Sequence, residues 1–326
     1  MFKRISKLGA LFQFILFIGL VTVFWIPAFL NPVLPLRSVC EGPAYGLITG
    51  MLEGEPLISV ILAFCLTLIL CIQIYLAGMA NDLFPRTNFL ASIFLVVMLS
   101  WNQSMQTLHP MLPAAVLILL ALHTLMKMYG QTEPYRQVFI AAMFLSVASL
   151  FFTPAIYLVA FIWIVFLGFR ITTWREWIIV LIGFSIPYIY LISWYFLTGD
   201  IREGITSLSK SIGQPGLNLA QAGILQLSWI ALTILILLIA ILAIISVLQD
   251  KLISIRRKSY VMINFSLISF LVVIFSGASL SESYQMLLYP LALFMAVTIA
   301  MIKRTAFIEA LYLLYLLLLV VLRYSI

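Results

Sequence analysis

Apolar runs of 14 to 23 residues, parted by short polar joints, recur along this chain from beginning to end. Eleven stand out: Leu8 to Leu30, Leu57 to Leu76, Asn88 to Trp101, Met111 to Met128, Val138 to Phe152, Ala155 to Phe169, Trp177 to Leu197, Leu225 to Val247, Val261 to Phe275, Tyr284 to Ile302 and Phe307 to Leu322. A helix rises 1.5 Å per residue, so about 20 apolar residues cross the hydrocarbon core. The third, fifth and sixth runs are short for a crossing and are expected to be shielded by protein rather than lipid. The pattern predicts an all-α, polytopic helical membrane protein with about 11 transmembrane helices (9 to 11 crossings) in one integral membrane domain, residues 1–326.

Composition removes the other fold classes. The chain is 64% hydrophobic and only 9% charged, whereas soluble domains carry about 25% charged residues. A soluble fold, a disordered chain and a porin-like barrel with alternating strands are excluded. Lys3, Arg4 and Lys7 before the first run resemble the start of a signal peptide. That run is too long and lacks a small-residue cleavage site, so an uncleaved anchor is expected.

The net charge of +7 changes the picture through its distribution. With the N-terminus in the cytoplasm and spans alternating, the inner side receives 14 of the 18 Lys and Arg residues. The outer side receives Arg37, Arg202, Lys210 and Arg323. This is the positive-inside distribution of a multi-pass protein of the bacterial cytoplasmic membrane, and no nucleic-acid partner is implied. Glu41, Glu53, Glu55, Asp200, Glu203 and Glu282 all fall outside. The three cysteines are small packing residues rather than a disulfide framework.

Two outer segments exceed what a turn needs. In residues 31–56, PAYGLITGMLEG puts Leu47, Ile48, Met51 and Leu52 on one helical face, predicting a short interfacial helix. Glu41 precedes it, placed either to cap the helix and meet its dipole or to serve as a catalytic acid facing a cavity. In residues 198–224, Ile201, Ile205, Leu208 and Ile212 oppose Arg202, Thr206, Ser209 and Lys210, predicting a second interfacial amphipathic helix. Arg202 and Lys210 are suited to a lipid phosphate or to ordinary anionic headgroups.

Smaller polar signals remain. His109 falls in the outer loop WNQSMQTLHP and is expected to face solvent. His123 lies inside the fourth run and is expected to face protein. Arg175 and Glu176 in TTWREW read as a pair within an interfacial anchoring belt, and Glu309 as a neighbour of Lys303 and Arg304. No phosphate-binding glycine loop, metal-ligand spacing or internal repeat is present, and no metal or cofactor is called for.

The order of features resembles the GT-C superfamily of polyprenyl-phosphate-sugar glycosyltransferases. The likeness is carried by CEGPAYGLITGMLEGEPLIS (Cys40 to Ser59), the stretch Tyr75 to Ser100, the stretch Phe139 to Arg170, and ESYQMLLYPLALFMAV (Glu282 to Val297). The chain differs in having Ser283 where an arginine often precedes the tyrosine, and in lacking a further acid in its second outer loop. The WREW stretch and overall layout also resemble a family of bacterial polytopic inner-membrane proteins of unknown function. The GT-C resemblance implies Glu41 as the base that deprotonates an acceptor hydroxyl, with Arg202 and Lys210 as the phosphate clamp. Asp200, Glu203, Glu282, Tyr284 and His109 stand as further substrate-binding residues, and a polyprenyl-phosphate-linked sugar as the substrate. A different class stays open: a non-catalytic lipid or solute carrier, or a scaffold subunit of a cell-envelope machine with membrane-protein partners. Ion-coupled transport is disfavoured, because no Asp or Arg lies mid-span.

Overall fold

A computed structural model describes residues 2–6, 8–52, 54–80, 88–102, 105–171, 173–198, 224–248, 252–277, 280–301 and 306–325. A short α1 (Phe2–Ile5) leads into α2 (Ala10–Leu30), α3 (Pro43–Met51), α4 (Pro56–Ala80) and α5 (Leu90–Leu99). Next come α6 (Met111–Met126), α7 (Tyr135–Phe151), a 3-10 turn (Thr153–Leu158), α8 (Val159–Phe169) and α9 (Trp174–Thr198). The chain continues through α10 (Ile224–Leu248), α11 (Ile253–Phe275), α12 (Leu280–Ser283), α13 (Gln285–Met301) and α14 (Ala306–Ser325).

Each predicted apolar run contains a helix among the described residues. Four helices, α2, α4, α9 and α11, are long and apolar enough to cross a membrane. Seven shorter apolar helices occupy the other runs among the described residues. The bundle turns its large apolar side chains outward: Leu11 on α2, Ile72 on α4, Tyr190 and Leu197 on α9, and Val321 on α14 are all exposed. Water would not tolerate that surface, and lipid requires it.

Two of the short helices are enclosed by protein, whereas α8 and α14 keep Leu167 and Leu314 exposed. All ten residues of α5 are buried, and α13 is buried almost throughout. These two pack on each other, and α13 also lies against α10 and α11. α7 presents Ala141, Ala142, Ser146 and Ser149, which let α9 approach closely. A Cβ on Gly183 of α9 would lie 2.9 Å from the Phe139 carbonyl oxygen, so the approach is set at this glycine. Ser146 donates to the Phe184 carbonyl at 2.6 Å, and the Ser149 and Tyr188 hydroxyls share a hydrogen bond at 2.7 Å.

α3 forms where expected. Tyr45 and Thr49 face the interior, while Leu47 and Met51 stand exposed. The predicted helix in residues 198–224 falls outside the described residues, apart from Thr198 at the end of α9 and Ile224 at the start of α10.

Candidate functional site

One end of the bundle gathers most of the buried polar chemistry. The segment after α2 turns back at Ser38, where the Glu41 N–H donates to the Ser38 carbonyl at 3.2 Å. The Glu41 carboxylate returns along the same turn and accepts the Ser38 N–H at 3.3 Å. The Ser38 hydroxyl donates to Glu282 at 2.5 Å, joining segments 244 residues apart. Glu282 is buried, and Glu41 remains partly accessible.

Of the two roles left open for Glu41, this geometry does not supply the helix cap. The N-cap of α3 is Gly42, with no side-chain hydrogen bond, and the Glu41 carboxylate points back along the turn instead. Gly42 is required by packing: a Cβ there would sit 2.0 Å from the Leu150 carbonyl oxygen. The segment is pinned to the end of α7 by Gly42 N–H to the Phe151 carbonyl at 2.9 Å and Thr153 N–H to the Cys40 carbonyl at 3.1 Å. Glu41 and Phe152 thereby form an isolated antiparallel bridge.

Charge accumulates around this turn. Burial pushes the Cys40 thiol up to about 11, with the Glu282 charge adding to it. The Tyr45 phenol is raised too, first by burial and then by Glu41 and Glu282, against a smaller opposing effect of Arg37. Tyr45 donates its hydroxyl toward the carbonyls of Leu36 at 2.8 Å and Leu108 at 2.9 Å, tying the turn to the loop before α6.

His109 does not face solvent. It is buried, with Nδ1 3.0 Å from the Thr107 carbonyl and Nε2 2.8 Å from the Gln285 carboxamide. Burial depresses its pKa, outweighing the two hydrogen bonds. The neutral ring carries one proton, and a carbonyl can only accept. Nδ1–H therefore donates to Thr107, and Nε2 accepts from Gln285 with its amide turned over. The polar sequence of the loop concealed this, because the partner is 176 residues away.

Tyr284 is buried and packs edge-on against Trp101, with centroids 5.5 Å apart. Arg202, Lys210, Asp200 and Glu203 lie outside the described residues. One other pairing resolves differently from the sequence reading: Glu176 is buried and takes the Thr173 hydroxyl. Glu309 accepts the Lys3 backbone N–H at 3.3 Å. Lys303 and Arg304 lie outside the described residues.

Arg323 escaped the sequence reading as a site residue. It is buried near the end of α14, where its guanidinium donates to the Phe24 carbonyl at 2.7 Å, to Gln106 Oε1 at 2.8 Å and to the Ser100 carbonyl. It also lies over the Phe24 ring, 5.2 Å from the centroid. An arginine inside LYLLYLLLLVVLRYS was the available signal, since a cation at that depth needs partners. Gln106 in turn donates to the same Phe24 carbonyl at 3.0 Å, so α2, α5, the 101–110 loop and α14 close on one point.

Chemically, the end offers a partly accessible carboxylate held by a turn, and a buried carboxylate gripping that turn through a serine. Among the described residues no group of three or more His, Cys, Asp or Glu could hold a metal ion. No family model, no curated protein and no solved structure matches the chain, so the assignment rests on this geometry and on the helical membrane architecture.

Proposed function

We propose that this chain is a multi-pass protein of the bacterial cytoplasmic membrane that transfers a sugar from a polyprenyl-phosphate carrier at its Glu41 end, on the outer face. The observation supporting this reading is the convergence of Glu41 and Glu282 on Ser38. Two acids drawn from distant segments onto one serine are costly to place and are favoured by a chemical role. The division of labour follows from exposure. Glu41, partly accessible, takes the proton of the acceptor hydroxyl. The acceptor oxygen bonds to the anomeric carbon, and the bond from that carbon to the phosphate oxygen breaks. The electron pair leaves on the polyprenyl phosphate, for which Arg202 and Lys210 are the proposed clamp. Glu282, buried, is a positioning residue that fixes the turn through Ser38. Exposed Leu47 and Met51 suit α3 to the headgroup boundary beside the site. An eleven-pass topology with a cytoplasmic N-terminus belongs to the same proposal.

The test is mass spectrometry of polyprenyl-linked glycans in cells lacking the protein. Accumulation of a lipid-linked sugar, cleared by wild type and not by Glu41→Gln, is the expected result. Unchanged lipid pools would count against transfer altogether. Full complementation by Glu41→Gln would favour the second reading, a scaffold subunit of an envelope machine. That alternative draws on the burial of Glu282 and the closed Arg323 network, both of which also suit a purely architectural end.

A further inference from the structure

The opposite end of the bundle carries a basic seam that the proposed transfer does not use. Lys127 follows α6, Arg170 ends α8, and Arg256, Arg257 and Lys258 sit within the first two turns of α11. The charges of Lys127 and Lys258 both reach His123 in the last turn of α6. Arg257 donates to the Gly168 carbonyl at 3.2 Å and lies 6.0 Å from the centroid of Tyr129, which packs on Phe169. Three elements thus bring their cations to one place. Lys127, Arg170, Arg257 and Lys258 form no ion pair among the described residues.

Three features make this gathering unfavourable by itself. α11 has no acidic residue in its first turn and no side-chain cap, so its cations face the positive end of a helix dipole. Arg170 has φ of 61°, the left-handed conformation that glycine adopts without strain and arginine does not. His123 Nδ1 is buried with no hydrogen-bond partner among the described residues. A multiply charged anion would offset the repulsion among these cations and at the helix dipole. Beside the seam, Ile164 and Leu167 of α8, with Leu252, Ile253 and Tyr260 at the start of α11, are exposed and apolar. The two helices pack together there, so an anion with acyl chains meets both its needs.

We infer that the seam between α6, α8 and α11 seats the headgroup of a two-phosphate anionic phospholipid in the leaflet that the Lys and Arg excess assigns to the cytoplasm. Native mass spectrometry of the detergent-purified chain tests this, with cardiolipin, phosphatidylglycerol and phosphatidylethanolamine as probes. Wild type should retain one cardiolipin at least about tenfold better than the zwitterionic lipid. Lys127→Gln/Lys258→Gln should lose that preference, while Lys127→Arg/Lys258→Arg and Arg4→Gln, on α1 and away from these three elements, should keep it. Arg170→Gly should weaken retention while raising the melting temperature, a combination that misfolding cannot produce. The inference fails if wild type shows no preference, or if Arg4→Gln loses as much as the seam pair. It also fails if phosphatidylglycerol binds equally well, or if millimolar inorganic phosphate displaces the lipid. These outcomes are independent of the lipid-linked sugar pools.

Discussion

Replacing Gly42 with alanine should open the Glu41 turn. The added Cβ would lie 2.0 Å from the oxygen and 2.4 Å from the carbon of the Leu150 carbonyl. Non-bonded heavy atoms settle at about 3.5 Å, and the obstacle is helix backbone, which cannot rotate aside. The turn and the end of α7 must separate by roughly 1.5 Å to restore ordinary contact. Overpacking of this kind costs about 1–3 kcal/mol. The separation also breaks the Gly42–Phe151 and Thr153–Cys40 backbone bonds, at about 1 kcal/mol each. The expected total is about 3–5 kcal/mol. Cys40 reports it, being buried within the pinned segment with its thiol pushed up to about 11. In a Cys65→Ala background, maleimide labelling of wild-type Cys40 should be slow, because the thiol must be exposed and ionised to react. A loss of 3 kcal/mol in closure raises the open population by about 10²-fold, and Gly42→Ala should label faster by that factor or more. Gly46→Ala is the control: it lies on α3 with nothing within 4 Å of its Cβ, and should leave labelling unchanged. Labelling of Gly42→Ala at the wild-type rate would refute the close approach and the positioning of Glu41 derived from it.

Other consequences are open to measurement. Arg323→Met should lower stability in detergent by about 2–4 kcal/mol, because the Phe24 and Ser100 carbonyls lose a charged donor; an unchanged melting curve would show the network to be dispensable. Gly183→Ala should cost roughly 1–3 kcal/mol by forcing α9 off α7, read by thermal unfolding against the unobstructed Gly46→Ala. The depressed pKa of His109 means that the unfolded chain binds a proton the native chain refuses. Stability should therefore fall as pH drops below the ordinary histidine value of about 6.5, and His109→Gln should flatten that slope; equal slopes would contradict the neutral buried ring. Arg170→Gly should gain about 1 kcal/mol by removing the left-handed strain, measured as a higher melting temperature.

The apolar runs made the helices legible, since lipid forces every backbone group to bond within its own segment. The start of α3 at Pro43 was legible as well, because PAYGLITG holds its periodicity locally. The sequence left Glu41 open between a cap and a catalytic acid, because a carboxylate ahead of a helix has a familiar local use. Its actual partner is the Ser38 N–H, and no one-dimensional pattern joins Ser38 to Glu282. His109 failed for the same reason: the polarity of its loop was visible and its contact with Gln285 was not. Arg323 entered the charge count as a topological marker, and its carbonyl partners on α2 and α5 emerge only in three dimensions. The helix lengths, by contrast, foretold that α5 would be enclosed, whereas α8, expected to be shielded on the same ground, leaves Ile164 and Leu167 exposed.

That enclosure constrains how the protein is made. Ten residues rise only about 15 Å, half of a hydrocarbon core, so α5 leaving the translocon is too short to settle as an independent span. α2 and α4 are already in place, but α13 begins only at Gln285, long after α5 has been synthesised. The nascent chain must keep a half-length helix sheltered until its main partner arrives. Insertion is thus a cooperative assembly that continues through α13 and α14, both of which pack on α5.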